Sequence, residues 1–225
     1  MKPSEKYYNK LSSIYDSATK DEGMWNPPSY IFNYIEPYLN KKVNILDIGI
    51  GTGRSIEKIY KSKNYSSIHG VDISQSMLNV CKEKYSDIFL KKISDINELN
   101  LLDCKYDIII CSGTLEFIEN LNDFFNQVFQ LLEINGKLFF TYEVLIDFHP
   151  IQNKKKSLTT SSLSSKFFVE DFYTYRYKPF EIYKLLETYS FSLKNENEFI
   201  AYVKGEEKII YHFLEVEKGI GLKYK

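Results

Sequence analysis

Three glycines at alternate positions follow an apolar run and a single acid near residue 50. The run Val43 to Ile48 contains Asp47, and Gly49, Gly51 and Gly53 come next. A strand, a glycine turn and the start of a helix expose backbone N–H groups that can cradle part of a nucleotide-like ligand. The segment therefore predicts a nucleoside-binding turn.

The spacing of the glycines bears on which ligand is bound. Dinucleotide sites use Gly-x-Gly-x-x-Gly, with helix N–H groups facing a pyrophosphate. Here the third glycine comes one residue earlier, and the Asp47 carboxylate would repel a pyrophosphate. A ligand with ammonium and sulfonium charges and no phosphate suits this turn, and S-adenosylmethionine fits that description.

Two further acids follow later apolar runs. Asp72 ends the second predicted strand and lies 21 residues after Gly51 (72 − 51), where a Rossmann-type site places the acid that binds ribose hydroxyls. Asp95 follows the third predicted strand, Phe89 to Ile93. Each acid alone is compatible with a strand end or a turn, but in register with Asp47 they outline a nucleoside.

Several segments carry a resemblance to a known family. Ile45-Leu-Asp-Ile-Gly-Ile-Gly-Thr-Gly53 resembles the first motif of class I S-adenosylmethionine-dependent methyltransferases, and Val71-Asp-Ile-Ser-Gln-Ser-Met-Leu78 is similar to the second. Tyr8 to Asp16 is similar to the Tyr-x₆-Tyr-Asp cap of many small-molecule members, and Leu131 to Glu143 resembles the fifth-strand motif. The resemblance covers nearly the whole chain.

The resemblance implies an α/β fold with a doubly wound, seven-stranded Rossmann-like sheet. The expected strand order is 3-2-1-4-5-7-6, with strand 7 antiparallel, helices on both faces and an N-terminal helical cap. We expect one methyltransferase domain over residues 1–225. Its predicted parts are the cap (1–40), a cofactor-binding core (41–144), a substrate-side loop or lid (145–178), and a last helix with a C-terminal hairpin (179–225).

The same resemblance implies which residues hold the cofactor. Asp95 is expected to accept the adenine amine, Ile73 to lie beside the adenine ring, and aromatic residues of the cap to close over the ligand. The predicted cofactor-binding residues are Tyr15, Trp25, Asp47, Gly49, Gly51, Gly53, Asp72, Ile73, Met77, Asp95, Ile96 and Cys111.

The implied reaction is an in-line displacement in which an oxygen, nitrogen or sulfur nucleophile takes the methyl group and S-adenosyl-L-homocysteine is released. A general base is needed only if the nucleophile keeps its proton at working pH. The candidate catalytic residues are Glu116, Tyr142, Glu143 and His149, and the resemblance does not decide among them. No metal site is predicted.

The strands and helices that must position these residues are predicted from the spacing of apolar residues along the chain. The uninterrupted apolar run in Lys105 to Ser112 predicts a central buried strand. Helices are predicted over residues 2–38, with a break, and over Asp123 to Leu132. Residues 150–166, rich in Lys, Ser and Thr, predict a flexible loop. Phe191 to Val203 and Lys208 to Glu217 predict an antiparallel hairpin.

Composition limits the class of protein. The 225 residues are 44% hydrophobic and 26% charged, which is typical of a packed globule. With a net charge of −1, the protein as a whole does not strongly attract nucleic acid or an anionic membrane. A small molecule is therefore favoured as the methyl acceptor. Three cysteines without metal-ligand spacing, and neither a leader nor a long apolar run, predict a cytoplasmic protein.

Other functions remain open at this stage. The glycine spacing and Asp47 disfavour an NAD(P)-dependent oxidoreductase, and an acid-rich substrate motif that would suggest an aminopropyl transferase is absent from the sequence. A non-catalytic S-adenosylmethionine-binding or regulatory protein is compatible with the same motifs. The sequence fixes neither the acceptor nor the oligomeric state.

Overall fold

The computed structural model describes residues 1–20, 25–160 and 171–219. Its nine described strands are β1 (Asn44–Ile48), β2 (Ser67–Asp72), β3 (Phe89–Lys92), β4 (Tyr106–Cys111), β5 (Leu132–Glu143), β6 (Lys156–Thr160), β7 (Asp171–Tyr175), β8 (Phe191–Lys204) and β9 (Glu207–Lys218). The α-helices in the same ranges are α1 (Pro3–Leu11), α2 (Tyr15–Ala18), α3 (Pro27–Ile35), α4 (Glu57–Ser62), α5 (Gln75–Lys84), α6 (Leu121–Leu131) and α7 (Pro179–Thr188).

Seven of the strands form one sheet in the order β3-β2-β1-β4-β5-β9-β8. The first five pair in parallel, and β9 pairs antiparallel with both β5 and β8. Strands β8 and β9 therefore occupy the places predicted for the sixth and seventh strands. The predicted fold class is confirmed, including the reversed strand inserted beside the fifth.

Alternation along the central strands divides the core into two layers. On β4, Ile109 and Cys111 join the cluster that holds the α6 side chains Phe124 and Val128. Ile108 and Ile110, which point to the other side of the same strand, belong to the opposite cluster. That cluster includes side chains from α3, α4 and α5. Successive side chains of a strand point to opposite faces, so an uninterrupted apolar run requires cover on both sides. The strand ends can then carry polar residues without disturbing the core.

The substrate-side segment is more regular than the sequence predicts. A flexible loop is predicted over 150–166, but residues 156–160 form β6, which pairs antiparallel with β7; residues 161–166 lie outside the described ranges. On β7 the buried Phe172 and Thr174 alternate with the exposed Tyr173, and Phe172 packs against Tyr7 of α1 with ring centroids 4.9 Å apart. This contact is remote in sequence, so local composition could not indicate it.

Two global properties of the described residues complete the fold. Cys81 and Cys111 are buried, Cys104 is exposed, and all three are free thiols. Within the described ranges, no helix combines the length and apolar character needed to cross a membrane.

Candidate functional site

The carboxyl ends of β1, β2 and β4 open onto a cavity of about 300 Å³, which is in the size range of small-molecule sites. Parallel pairing brings these strand ends to one edge of the sheet, where doubly wound folds bind ligands. The cavity is lined by Gly49 and Gly51 after β1, Ile73 after β2, and Ser112 and Gly113 after β4.

Asp72 holds the glycine turn against the end of β2. Its Oδ2 accepts a 2.9 Å hydrogen bond from the Gly51 N–H, and its Oδ1 accepts a 2.7 Å bond from the Ser74 N–H. Burial raises the pKa of Asp72 to about 6, and these backbone donors act in the opposite direction. Each carboxylate oxygen has a second lone pair, so the side chain can still accept hydrogen bonds from a ligand.

The three glycines of the turn are required for different reasons. Gly51 has φ +55° and nothing within 4 Å of the position where a Cβ would lie, so its backbone faces open cavity. A Cβ on Gly49 (φ +78°) would come 2.0 Å from Thr114 Oγ1. Gly53 (φ +85°) has no room beside the Tyr85 ring, and it does not line the cavity. Gly51 is therefore the position that leaves space for a ligand.

Asp47 lies beneath the turn rather than in the cavity wall. It is 1% exposed, and its Oδ2 accepts a hydrogen bond from the Ser55 hydroxyl. Its Oδ1 has no hydrogen-bond partner among the described residues. Burial raises the pKa of Asp47 to about 7, although the Ser55 hydrogen bond lowers it. The structure thus separates Asp47 from the residues that line the cavity.

The N-terminal cap covers the glycine turn through Asp16, the acid of the Tyr-x₆-Tyr-Asp segment, which was not among the predicted cofactor-binding residues. Asp16 Oδ1 accepts a 2.6 Å hydrogen bond from Thr52 Oγ1, and the carboxylate also pairs with Lys84. Tyr15 beside it lines the cavity, and burial raises the pKa of its hydroxyl above the usual range. The two residues therefore have different roles: Asp16 anchors the cap to the glycine turn, and Tyr15 lines the cavity.

The predicted adenine end contains Asp95, Ile96 and Met77, all of which line the cavity. Asp95 Oδ1 accepts a 3.1 Å hydrogen bond from the Asn97 N–H, and Oδ2 pairs with the Lys2 ammonium at 3.2 Å. The Asn97 N–H and Lys2 hold the pKa of Asp95 below its usual value. Asp95 therefore stays ionised at neutral pH and available as an acceptor.

Two buried carboxylates lie at the other end of the cavity. Glu116 is 4% exposed; its Oε1 accepts a 2.8 Å hydrogen bond from the Tyr211 hydroxyl, and its Oε2 has no partner among the described residues. Burial raises the pKa of Glu116 to about 7. Glu143 accepts a 2.6 Å hydrogen bond from Arg176 Nε in an ion pair that is almost fully buried. Burial raises the pKa of Glu143, and the Arg176 charge opposes that change.

Tyr142 and His149, the other two candidate bases, do not line this cavity. The Tyr142 hydroxyl contacts His212 Nδ1 at 2.8 Å within the core, since alternation on β5 sends it to the opposite face from Glu143. His149 Nδ1 accepts hydrogen bonds from the Ile151 and Gln152 N–H groups, each at 3.1 Å. These contacts give both residues structural roles.

Trp25 lines the cavity, whereas Cys111 is buried in the core and is absent from the lining. The next residue, Ser112, does line it, and its buried hydroxyl has no partner among the described residues. The lining also includes residues that were not predicted as site residues, among them Ser112, Arg176, Tyr202 and Tyr211. The position of Ser112 at a strand end could have indicated it. The other three come from distant strands and carry no local motif.

The residues present fit S-adenosylmethionine. Backbone at Gly51 faces open space, and the Ser112 hydroxyl supplies an unsatisfied buried polar group near the same strand ends. In the order of the strands that carry them, the lining carboxylates are Asp95 after β3, Asp72 at the end of β2 and Glu116 after β4. Carboxylates and a hydroxyl suit a ligand that carries ribose hydroxyls, an ammonium and a sulfonium. Among the described residues, no group of His, Cys, Asp and Glu could hold a metal ion.

Comparison with known proteins agrees with this fit. Residues 39–202 match the profile of a family described as a methyltransferase domain. A malonyl-[acyl-carrier protein] O-methyltransferase from Ilyobacter polytropus is 35% identical over 105 residues, covering 45% of this chain and 38% of the relative. The chain spans between 38% and 51% of the lengths of the first curated relatives that it matches.

Solved structures share the fold over almost the full length. A magnesium protoporphyrin IX methyltransferase from Synechocystis with bound S-adenosylhomocysteine has a TM-score of 0.69 at 14% identity, covering 96% of this chain and 98% of that one. The [4+2]-cyclase SpnF has a TM-score of 0.74 at 12% identity, covering 98% of each chain. At these identities the likeness shows the fold alone.

Proposed function

Because the chain belongs to the family described as a methyltransferase domain, we propose that it transfers a methyl group from S-adenosylmethionine to an oxygen, nitrogen or sulfur atom of a small molecule. In this proposal Glu116 receives the proton of the acceptor. The proposal rests on the environment of one atom, Oε2 of Glu116. It is buried, it has no hydrogen-bond partner among the described residues, and its side chain lines the cavity. An acceptor X–H group is the kind of partner that such an oxygen lacks.

The titration of Glu116 suits this role. A general base works best when its pKa lies near the operating pH, and burial raises the pKa of Glu116 to about 7. Glu143 lines the same cavity, but its Oε1 accepts a hydrogen bond from Arg176 Nε at 2.6 Å in a buried ion pair. We therefore assign proton acceptance to Glu116, and a supporting role to the Glu143–Arg176 pair.

We assign the cofactor to the opposite end of the cavity. Gly49 and Gly51 would offer backbone to the amino-acid part, Asp72 would accept from the ribose hydroxyls, and Asp95 would accept from the adenine amine. S-adenosylmethionine, when bound, supplies a methyl group on a positively charged sulfur. Tyr15 and the cap would then exclude water, and the cavity walls would hold the nucleophile in line with the methyl carbon, where positioning supplies most of the rate enhancement.

A small molecule, free or bound to a carrier, is the acceptor class that the curated relatives favour. One such relative is named for malonyl-acyl-carrier protein, and others are named for ubiquinone biosynthesis. The near-neutral charge of the chain agrees, since it offers no strong field to nucleic acid.

Two measurements test the proposal. Calorimetric titration should detect binding of S-adenosylmethionine and S-adenosylhomocysteine but not of NADH. Incubation of the protein with S-adenosylmethionine and a panel of small acceptors should release S-adenosylhomocysteine, and Glu116→Gln should abolish most of that release. Absence of S-adenosylhomocysteine binding would refute the proposed function.

A further inference from the structure

Three aromatic side chains form one corner of the cavity, next to Glu116. The ring centroids of Trp25 and Tyr211 lie 5.7 Å apart, those of Trp25 and Tyr202 lie 5.9 Å apart, and those of Tyr202 and Tyr211 lie 6.3 Å apart. The rings are inclined to one another by 89°, 50° and 67° in the same order. We call these three residues the aromatic corner. Its rings stand as walls at large angles rather than as a stack.

The backbone at Gly113 leaves room for the Trp25 ring of the aromatic corner. A Cβ on Gly113, just after β4, would come 2.1 Å from Trp25 Cζ2, so only a glycine allows the indole to lie this close to the strand end. Gly113 also has φ +63°, a conformation that other residues rarely adopt. The Gly113 N–H is held by Thr141 Oγ1 at 3.0 Å. The indole is therefore brought directly to the end of the sheet where the cavity lies.

Glu116 gives the corner a negative charge that is not neutralised by a direct ion pair. Its one hydrogen-bond partner among the described residues is the neutral Tyr211 hydroxyl. Arg176, a cation in the same lining, is committed to Glu143 at 2.6 Å, to Ser157 Oγ at 2.7 Å and to the Lys154 carbonyl at 3.3 Å. Lys204 also lines the cavity, and its charge acts on Glu143. Among the described carboxylates that line the cavity, the buried oxygen without a hydrogen-bond partner is Glu116 Oε2.

Aromatic faces beside a carboxylate that has no direct ion pair among the described residues recognise a cation, although the Arg176 charge also reaches Glu116 and lowers its pKa. The negative face of an aromatic ring attracts a cation within about 6 Å of its centroid, and the attraction is strongest where water is excluded. Tyr211 is 2% exposed, and Trp25 and Tyr202 are half-buried, so the corner is partly screened from water. A carboxylate acceptor would instead be repelled by Glu116. We propose that the methyl acceptor is an amine, whose ammonium group is bound between the aromatic corner and Glu116 Oε2.

This inference rests on the proposed function and adds the acceptor class to it. The reaction balances as follows. The ammonium N–H proton passes to Glu116 Oε2, and the freed nitrogen lone pair forms the new N–C bond. The sulfur–methyl bond breaks, and its electron pair stays on sulfur, which becomes a neutral thioether. The product is an N-methylated ammonium, which the aromatic corner also suits.

The test compares a cation with its uncharged isostere on protein saturated with S-adenosylhomocysteine. Choline and 3,3-dimethyl-1-butanol have the same shape and differ in the charge of one atom. We expect choline to bind between about twofold and about thirtyfold more tightly, which is the range of a cation–π contact. Tyr202→Leu should lose most of that preference, Tyr202→Phe should keep it because the ring remains, and Glu116→Gln should reduce it.

Failure of this inference is distinguishable from failure of the proposed function. If the wild-type protein does not bind S-adenosylhomocysteine, the proposed function fails and the amine proposal falls with it. If S-adenosylhomocysteine binds but choline has no advantage over 3,3-dimethyl-1-butanol, only the amine proposal is overturned. An equal loss in Tyr202→Leu and Tyr202→Phe would also overturn it, since it would assign the effect to the hydroxyl.

Two further controls complete the design. Thermal unfolding of each variant shows that a lost preference does not reflect loss of the fold. Comparison of S-adenosylmethionine with S-adenosylhomocysteine in wild type and Glu116→Gln tests whether the corner serves the sulfonium instead. A preference for S-adenosylmethionine that disappears in Glu116→Gln, with no choline binding, would overturn the amine proposal.

Discussion

The Tyr211 hydroxyl donates a 2.8 Å hydrogen bond to Glu116 Oε1 across the cavity, from β9 to the turn that follows β4. The residues are 95 positions apart, and both are almost fully buried. This bond stabilises the ionised carboxylate and lowers the pKa of Glu116, against the larger effect of burial. It also fixes which oxygen of Glu116 remains open to an acceptor.

Tyr211→Phe is therefore expected to move the acid limb of the pH–rate profile to higher pH. A hydrogen bond to a charged group contributes about 1.5–3 kcal/mol, and 1.36 kcal/mol corresponds to one pH unit, so the limb should move by about one to two units. The measurement is kcat/KM against pH, which reports the free enzyme, with the same acceptor for both proteins. Tyr189→Phe, which loses only an exposed hydroxyl contact to the Asn122 carbonyl, is the control and should leave the limb in place.

Glu116→Gln should remove the acid limb instead of moving it. The amide cannot accept a proton near neutral pH, so kcat should fall by about 10²- to 10⁴-fold, the usual range for a lost general base. In the wild type the rate should rise with pH through a midpoint near 7 as the carboxylate ionises. The matched control is Glu119→Gln, three residues along, where the carboxylate is exposed and pairs with Lys156. Retention of a wild-type rate in Glu116→Gln would exclude the assigned base.

The sequence predicted the fold well because the fold depends on local patterns. The apolar run of β4, the glycine turn and the hairpin of β8 and β9 each have a periodicity or spacing of their own. The cofactor half of the site follows from these elements, since Asp72 ends β2, and Gly51 and Asp95 lie in the turns that follow β1 and β3. Their cofactor contacts remain predictions.

The acceptor half could not be predicted in the same way. Glu116 lies on the strand-end turn and was a candidate from its position, but its partner Tyr211 comes from β9. Arg176 follows β7, a strand that was not predicted within the substrate-side loop or lid of residues 145–178. The alternation of side chains along β5 also separates two adjacent candidates: Glu143 faces the cavity, and Tyr142 faces the core. Only the packed structure shows which of the two lines the site.

Gly51→Ala should impair cofactor binding more than it impairs folding. The new Cβ would meet nothing within 4 Å in the protein, so it would intrude on the space assigned to the ligand. Calorimetry should show S-adenosylhomocysteine affinity reduced by at least about tenfold, equivalent to about 1.4 kcal/mol. The left-handed backbone should also cost about 1–2 kcal/mol of stability, measured by urea unfolding.

Gly205 provides a matched control for this prediction. It lies between β8 and β9 with φ +64°, and a Cβ there would also have nothing within 4 Å. Gly205→Ala should therefore have the same backbone cost, about 1–2 kcal/mol, without weakening ligand binding. Equal affinities for S-adenosylhomocysteine in the two alanine variants would contradict the cradle assigned to Gly51.

The buried Arg176–Glu143 pair should be most important for stability at high pH. Arg176→Leu leaves Glu143 as an unpaired buried carboxylate, which should cost about 3–5 kcal/mol at pH 8 by urea unfolding. Burial already raises the folded-state pKa of Glu143, and loss of the opposing Arg176 charge should raise it further. A raised carboxyl pKa means that the folded state holds more protons, so stability is retained below the unfolded pKa and lost as pH rises through the folded one. The deficit of Arg176→Leu should therefore shrink toward pH 5, and Arg176→Leu combined with Glu143→Leu should recover most of the loss. A deficit that is the same at both pH values would show that the variant fails through lost packing instead of an unpaired charge.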